Sequence, residues 1–219
     1  MQDILHISQS WHDPVSSLRR VIILILAILF VESFAYLLKD NSFLGILRTA
    51  DILILLLWGP GFFKGVEFSK VVQDALKVTV FFTLTGILFL IGWKIVFGSS
   101  MLGLTYEKGF LNNRVMVIIF FTTRCLLSPV AEELFFRGII YRKIRENLNA
   151  WISIGAVSLL FAFIHFYFSG QTLSQSFMPF LGSLIFCLGY EKTKFILTPI
   201  LLHISGNFII FLSPFISSI

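Results

Sequence analysis

The sequence predicts an all-α membrane protein, a polytopic bundle of about seven transmembrane helices that forms one membrane domain over residues 1–219. Composition is the first reason. Of the 219 residues, 57% are hydrophobic and only 13% are charged, and the mean hydropathy is +0.90. Because a water-soluble domain carries about 25% charged residues, this chain has too few charges to cover its surface in water. The second reason is that apolar runs extend from residue 21 to the C-terminus and leave no polar block for a separate core.

A bilayer core requires about 20 apolar residues per helix, and this length divides the chain into candidate spans. Arg48 and Asp51 interrupt the second span, whereas Pro179, Gly182 and Gly189 shorten the sixth. Six spans, or a re-entrant sixth segment, therefore remain alternatives. The predicted spans are residues 20–38, 43–63, 78–97, 114–141, 150–168, 177–190 and 196–216.

The charge distribution predicts how the chain is oriented in the membrane. The chain contains 17 Lys and Arg against 12 Asp and Glu, which gives a net charge of +5. With a cytoplasmic N-terminus, ten basic residues lie in the inner segments and four in the outer ones, as the positive-inside rule requires. These residues form no long basic stripe, so we expect no nucleic-acid partner. The short loops are typical of a multi-pass protein of the bacterial cytoplasmic membrane.

Three predicted spans in the C-terminal half carry ionisable or polar residues, although a charge near the bilayer centre costs about 3 kcal/mol. Glu133 and Arg137 lie four residues apart on one helix face, while Glu132 points about 100° away from Glu133 and lacks a local cation. We interpret Glu133 and Arg137 as a structural ion pair and Glu132 as a carboxylate for catalysis or ion binding. The other two spans contain His165, and His203 with Asn207.

Helical-hairpin geometry predicts that His165 lies at the height of Glu132. A polar turn is expected around Asn149, with Glu132 seventeen residues before it and His165 sixteen residues after it. Equal offsets in an antiparallel hairpin mean equal height, which would place both side chains near one water molecule.

His203 and Asn207 are four residues apart and share a helix face. Their side chains either donate hydrogen bonds to a developing oxyanion or serve as polar contacts between helices. Arg48 and Asp51 are expected to pair with each other, and Arg124 is assigned no chemical role.

A carboxylate and an imidazole that converge on water are typical of a hydrolase without a covalent intermediate. None of the serines in these spans lies in a GxSxG motif, which argues against a serine nucleophile. Zinc remains an alternative, because Glu132 and the two histidines are suitable ligand types, although the chain has no HExxH motif.

Together, these motifs resemble the CPBP family of intramembrane glutamic endopeptidases. This family includes CAAX prenyl endopeptidases and Abi-like, bacteriocin-processing or self-immunity membrane proteins. The resemblance covers residues 114–210 and implies that this part of the membrane domain is a catalytic core. The motifs are EExxxR from Glu132 to Arg137, FxxxH from Phe161 to His165, and HxxxN from His203 to Asn207.

The same resemblance implies a mechanism. One carboxylate and one imidazole would activate a water to attack a peptide carbonyl, two hydrogen-bond donors would form the oxyanion hole, and an ion pair would support the site. No metal or other cofactor would be required. The corresponding residues are Glu132 with His165, His203 with Asn207, and Glu133 with Arg137.

Two other functions remain open. A proton- or ion-coupled carrier also uses intramembrane Glu, His and Arg. A non-catalytic membrane scaffold or immunity protein would keep the fold without the reaction. For a protease, the expected partners are the lipid bilayer and a membrane-associated protein or peptide substrate, such as a prenylated C-terminus, a peptide leader or a membrane-anchored tail.

Overall fold

The computed structural model describes residues 14–38, 41–58, 68–97, 113–169 and 172–217. These residues form seven helices and no strand, which confirms the all-α prediction. Each predicted span overlaps one helix, and residues 59–63 of the second span lie outside the described residues. The helices are α1 (Pro14–Leu38), α2 (Asn41–Trp58), α3 (Phe68–Phe97), α4 (Arg114–Arg145), α5 (Ala150–Ser169), α6 (Leu173–Thr193) and α7 (Leu197–Ser217).

The surface of the bundle is apolar. Within the described part of the chain, α3, α4 and α5 are long and apolar enough to cross a membrane, and α7 has a shorter apolar stretch, Leu197–Leu212. Large side chains such as Phe30 (75% exposed), Ile95 (78%) and Trp151 (75%) point outward. Outward-facing apolar surface of this extent is stable against lipid rather than water. The chain is therefore an all-α helical membrane protein.

Pro179 does not interrupt α6, which continues from Leu173 to Thr193 and packs against α5 and α7. A proline inside a helix removes one backbone hydrogen bond, but membrane helices tolerate this loss. Pro179 and the glycines therefore do not break or shorten α6.

Helix α4 carries Glu132 and Glu133 on a short regular stretch between two wider, π-helical stretches. The regular stretch is Ser128–Phe135, and the wide stretches are Phe121–Leu127 and Phe136–Tyr141. Pro129 lacks the backbone N–H that a regular helix needs, and the first wide stretch ends two residues before it, at Leu127. Wide turns of this kind are rare in helices and frequent at functional sites.

Asn149 lies at the start of α5, at the turn that the hairpin prediction requires. Its Oδ1 accepts a hydrogen bond from the backbone N–H of Ile152 (3.0 Å), so Asn149 caps the N-terminus of α5. Helix α5 then returns alongside α4. The polar side chains of α4 face a buried core to which α1, α2, α4, α5, α6 and α7 contribute.

Gly189 allows α6 and α7 to approach closely. A Cβ atom at this position would lie 2.6 Å from Cδ1 of Leu202 and 3.3 Å from Cγ2 of Thr198, and both neighbours are buried. A methyl group therefore has no room unless the two helices or the Leu202 side chain shift.

Replacing Gly189 with Ala should destabilise the bundle relative to the same change at Gly155, where an added Cβ would meet nothing within 4 Å. Both substitutions gain the same helix propensity, about 1 kcal/mol, so their difference isolates the steric contact. We expect Gly189→Ala to have a free energy of unfolding about 1–3 kcal/mol below that of Gly155→Ala in detergent. Equal stability would contradict the close packing of α6 and α7.

Glu191 connects α4, α6 and the turn after α6. Its carboxylate accepts a hydrogen bond from the Tyr141 hydroxyl (2.8 Å) and pairs with Lys194 (2.5 Å) and Arg145 (3.5 Å). Burial raises the pKa of Glu191, but the hydrogen bonds from Lys194 and Tyr141 and the charges of Lys194 and Arg145 outweigh burial. The pKa of Glu191 therefore lies below its ordinary value of 4.5.

A lowered pKa in the folded state means that ionised Glu191 stabilises the fold above about pH 4.5, and that this contribution is lost as the pH falls through the folded-state pKa. The free energy of unfolding of Glu191→Gln should therefore fall less than that of the wild type between about pH 5 and pH 3. Glu146→Gln is the control, because Glu146 is exposed and contacts only Lys143 among the ion pairs described. An identical decline in the wild type and Glu191→Gln would rule out this contribution.

Candidate active site

Glu133 and Arg137 form the ion pair that their spacing predicts. Nη1 of Arg137 lies 2.8 Å from Oε1 of Glu133, and both side chains are fully buried (0% exposed). Nη2 of Arg137 donates hydrogen bonds to the backbone carbonyl of Ser183 (3.0 Å) and to the Ser183 hydroxyl on α6. The pair therefore joins α4 to α6 as well as neutralising Glu133.

Aromatic rings surround the Arg137 guanidinium. Its Cζ lies 5.1 Å from the ring centroid of Phe161, 5.4 Å from that of Phe186 and 5.9 Å from that of Phe136. The negative faces of aromatic rings attract a cation, most strongly where water is excluded. Phe161 of the FxxxH motif thus contributes to holding Arg137 in the core.

His203 shares the carboxylate of Glu133 with Arg137. Nδ1 of His203 lies 2.8 Å from Oε1 of Glu133, and the ring stacks on Phe186 at a centroid distance of 4.6 Å. With Nδ1 donating to Glu133, the opposite ring nitrogen, Nε2, points toward Oε2 of Glu132 at 3.8 Å. This use of Glu133 by a second helix was not predicted from the sequence, because the motif shows only the local partner.

His165 approaches Glu132 from the other side of the hairpin. Its Nε2 lies 3.9 Å from Oε2 of Glu132, in agreement with the equal heights predicted for the two side chains. Nδ1 lies 2.9 Å from the backbone carbonyl of Phe161, one turn earlier on α5. That carbonyl can only accept a hydrogen bond, so Nδ1 carries a proton.

Oε2 of Glu132 is therefore the point where three helices converge. This oxygen is buried and has no hydrogen-bond partner among the described residues, although the side chain as a whole is 19% exposed. The two imidazole nitrogens at 3.8–3.9 Å are too far for direct hydrogen bonds and near enough for one bridging water.

Asn207 lies one turn beyond His203 on α7. Its side chain binds α4 at Arg124, whereas His203 binds α4 at Glu133. Its Nδ2 donates to the backbone carbonyl of Arg124 (2.9 Å). In the wide stretch of α4, the N–H of Ser128 donates to the carbonyl of Thr123, and Pro129 has no N–H to donate. The carbonyl of Arg124 is thereby left for Asn207.

Glu132 has no Lys or Arg partner among the ion pairs described, in line with the absence of a local cation on its helix turn. The fold nevertheless brings the charges of Arg48 on α2 and Arg124 on α4 to interact with Glu132. Arg48 pairs with Asp51 as predicted (3.1 Å), but its Nε also donates to Oγ of Ser128 on α4 (3.2 Å). No signal in the sequence links α2 to α4, and Ser183 on α6 was missed for the same reason.

A buried carboxylate oxygen that lies within one bridging water of two imidazole nitrogens can accept a proton from that water, which is the chemistry that hydrolysis requires. Within the described residues, no group of three or more His, Cys, Asp or Glu side chains is arranged to hold a metal ion.

Comparison with known proteins finds a family match for the C-terminal part of the chain. Residues 114–209 match the family model described as type II CAAX prenyl endopeptidase Rce1-like. This segment thus matches the CPBP family of CAAX-type intramembrane proteases, and the match confirms the resemblance inferred from the three motifs. No curated protein and no solved structure matches the chain.

Removing Arg137 should unfold the site, because it leaves the Glu133 carboxylate buried with only His203 as a partner. We expect Arg137→Ala to lower the free energy of unfolding in detergent by about 3–5 kcal/mol, and Arg137→Gln combined with Glu133→Gln to recover part of that loss. Lys77→Ala breaks the exposed pair with Asp74 and should have no measurable effect. Wild-type stability of Arg137→Ala would contradict a structural role for the pair.

Proposed function

We propose that the protein is an intramembrane endopeptidase that hydrolyses a peptide bond with a water molecule activated by Glu132, without a metal or other cofactor. The family match supports the class of reaction. The observation that carries the residue assignment is the position of Oε2 of Glu132, buried and 3.8–3.9 Å from Nε2 of His165 and of His203. A water between Glu132 and His165 fits these separations at ordinary hydrogen-bond lengths.

His165 is suited to orient this water. Because Nδ1 donates to the Phe161 carbonyl, Nε2 of the neutral ring carries a lone pair that faces Glu132. The water then donates one hydrogen to Glu132 and the other to His165. This arrangement leaves a lone pair of the water oxygen for attack on the substrate.

In the reaction, Glu132 takes one proton from the water as the oxygen attacks the peptide carbonyl carbon. A C–O bond forms, and the π electrons of the carbonyl move to its oxygen. When the tetrahedral intermediate collapses, the proton held by Glu132 passes to the leaving nitrogen and the C–N bond breaks. The products are a carboxylic acid and an amine, which become a carboxylate and an ammonium group when the acid proton passes to the amine, and no oxidant or reductant is needed.

We assign stabilisation of the oxyanion to His203 and Asn207. Glu133 holds Nδ1 of His203 and thereby directs Nε2 toward Glu132, the side on which the oxyanion would form. Asn207 uses one amide hydrogen for the Arg124 carbonyl and keeps a second for the substrate. Glu133 and Arg137 support the site by fixing the His203 ring.

The substrate in this proposal is a membrane-associated protein or peptide whose cleaved bond reaches the pocket from within the bilayer. A prenylated C-terminus is the class named in the description of the family, and a peptide leader or a membrane-anchored tail would use the same chemistry. We place the N-terminus on the cytoplasmic side of a bacterial cytoplasmic membrane, because ten basic residues then lie on that side.

Glu132→Gln should lower cleavage by a factor of about 10² or more, because Gln keeps the shape of the side chain and loses its basicity. The variant should still insert and fold, as measured by its thermal unfolding in detergent. Comparative proteomics of membrane-protein termini, in cells that carry the wild type or Glu132→Gln, measures the activity even when the substrate is unidentified. Glu146→Gln, an exposed carboxylate change near the end of α4, is the matched control and should leave the termini unchanged.

The outcomes separate the competing functions. A terminus present in wild-type and Glu146→Gln cells and absent in Glu132→Gln cells supports the protease and identifies its substrate. Wild-type processing by Glu132→Gln would refute the role of Glu132 as the base. Identical termini in all strains, including one that lacks the protein, would favour a carrier or a non-catalytic scaffold.

A further inference from the structure

Arg48 lies outside the matched segment, on α2, yet it contacts the helix that carries Glu132. Its Nε donates to Oγ of Ser128 (3.2 Å), and its Nη1 pairs with Asp51 (3.1 Å). Ser128 and Glu132 are four residues apart on the regular stretch of α4, so they lie on one face of that helix. The Arg48 guanidinium therefore approaches the face of α4 that presents Glu132.

Arg48 lies in surroundings that contain little water, and this strengthens its electrostatic interactions. Its side chain is only 12% exposed, and that of Asp51 is 1% exposed. Charges interact more strongly in such surroundings than in water, because less solvent screens them. Arg48 and Asp51 both interact electrostatically with Glu132, and Arg48 is the member of the pair that contacts α4.

Asp51 explains how a cation can lie at this position. An unpaired arginine inside a membrane helix is costly, whereas a pair three residues apart on α2 carries no net charge. The negative charge of Asp51 thus compensates the positive charge of Arg48, so that α2 can carry a guanidinium next to α4.

We propose that Arg48 is a positioning residue for the hydrolytic reaction: it fixes α2 against α4 at Ser128, and its charge keeps Glu132 in the carboxylate form that acts as the base. This inference rests on the proposed function of Glu132 and extends the active site to the part of the chain before the matched segment. The other charged or titratable groups that face Glu132 are Arg124 of α4, His165 of α5, His203 of α7 and Asp51 of α2.

The test must remove the charge of Arg48 without leaving Asp51 buried alone. The variant is therefore Arg48→Gln combined with Asp51→Asn. Its matched control is Lys77→Gln combined with Asp74→Asn, which neutralises a pair of the same spacing on the exposed side of α3. Arg48→Lys keeps the charge with Asp51 in place, and Ser128→Ala keeps Arg48 and removes its contact with α4.

The first measurement is cleavage of a synthetic peptide that contains the terminus identified by comparing wild-type and Glu132→Gln cells. The neutralised Arg48–Asp51 pair should lower kcat about tenfold with little change in KM, and the pH below which kcat/KM declines should rise. Arg48→Lys should restore most of kcat and the wild-type pH profile. A purely structural role would instead reduce the folded fraction and leave the pH profile of the remaining enzyme unchanged.

The second measurement requires no substrate. Infrared difference spectra of the wild type and the neutralised pair, each referenced to its own Glu132→Gln version, report the protonated carboxyl band of Glu132 as a function of pH. The band should appear at higher pH in the neutralised pair, and the Lys77–Asp74 control should match the wild type.

Unchanged kcat, pH profile and carboxyl band in a folded neutralised pair would overturn the proposal. Equal losses in Arg48→Lys and the neutralised pair, with an unchanged carboxyl band, would also overturn it, because the charge would then be irrelevant. If no terminus depends on Glu132, the proposed protease function fails, and the infrared titration alone decides whether Arg48 controls the ionisation of Glu132.

Discussion

The candidate active site depends on the carboxylate of Glu133. One of its oxygens, Oε1, lies 2.8 Å from both Arg137 of α4 and His203 of α7, and Arg137 continues the network to Ser183 on α6. A buried charge without such partners costs several kcal/mol, so these three helices must meet in one register. Apolar helix contacts discriminate poorly between registers in lipid, because lipid tails are as apolar as the side chains that they replace. The polar network around Glu133 therefore fixes the register of α4, α6 and α7, which apolar contacts alone would not determine.

Adjacent carboxylates differ because a helix turns by about 100° per residue. Glu133 points into the network and makes short contacts with fixed partners, whereas Glu132 points toward two imidazole nitrogens that stop short of hydrogen-bond distance. The inner contacts orient the rings, and the separations around Glu132 are those that one bridging water spans. Neighbouring residues of a single turn therefore have different surroundings: Oε1 of Glu133 is held by two partners, whereas Oε2 of Glu132 has no hydrogen-bond partner among the described residues.

The sequence predicted those parts of the site that depend on local geometry. Helical period alone identified the pairing of Glu133 with Arg137, and the turn at Asn149 placed His165 at the level of Glu132. Contacts between distant helices were not predictable, because no local pattern records which face of α2 meets α4. The approach of Arg48 to Ser128 and the binding of Arg137 by Ser183 belong to this group. The wide stretches of α4 were missed since the apolar pattern does not distinguish them from regular helix.

The first wide stretch of α4 determines how α7 is attached to α4. The N–H of Ser128 passes over the carbonyl of Arg124 and reaches that of Thr123, and the amide of Asn207 binds the carbonyl left over. In a regular turn, Ser128 would occupy the Arg124 carbonyl within α4 itself. The irregular turn thus presents a backbone acceptor to a neighbouring helix, which is one way in which membrane helices satisfy displaced backbone groups.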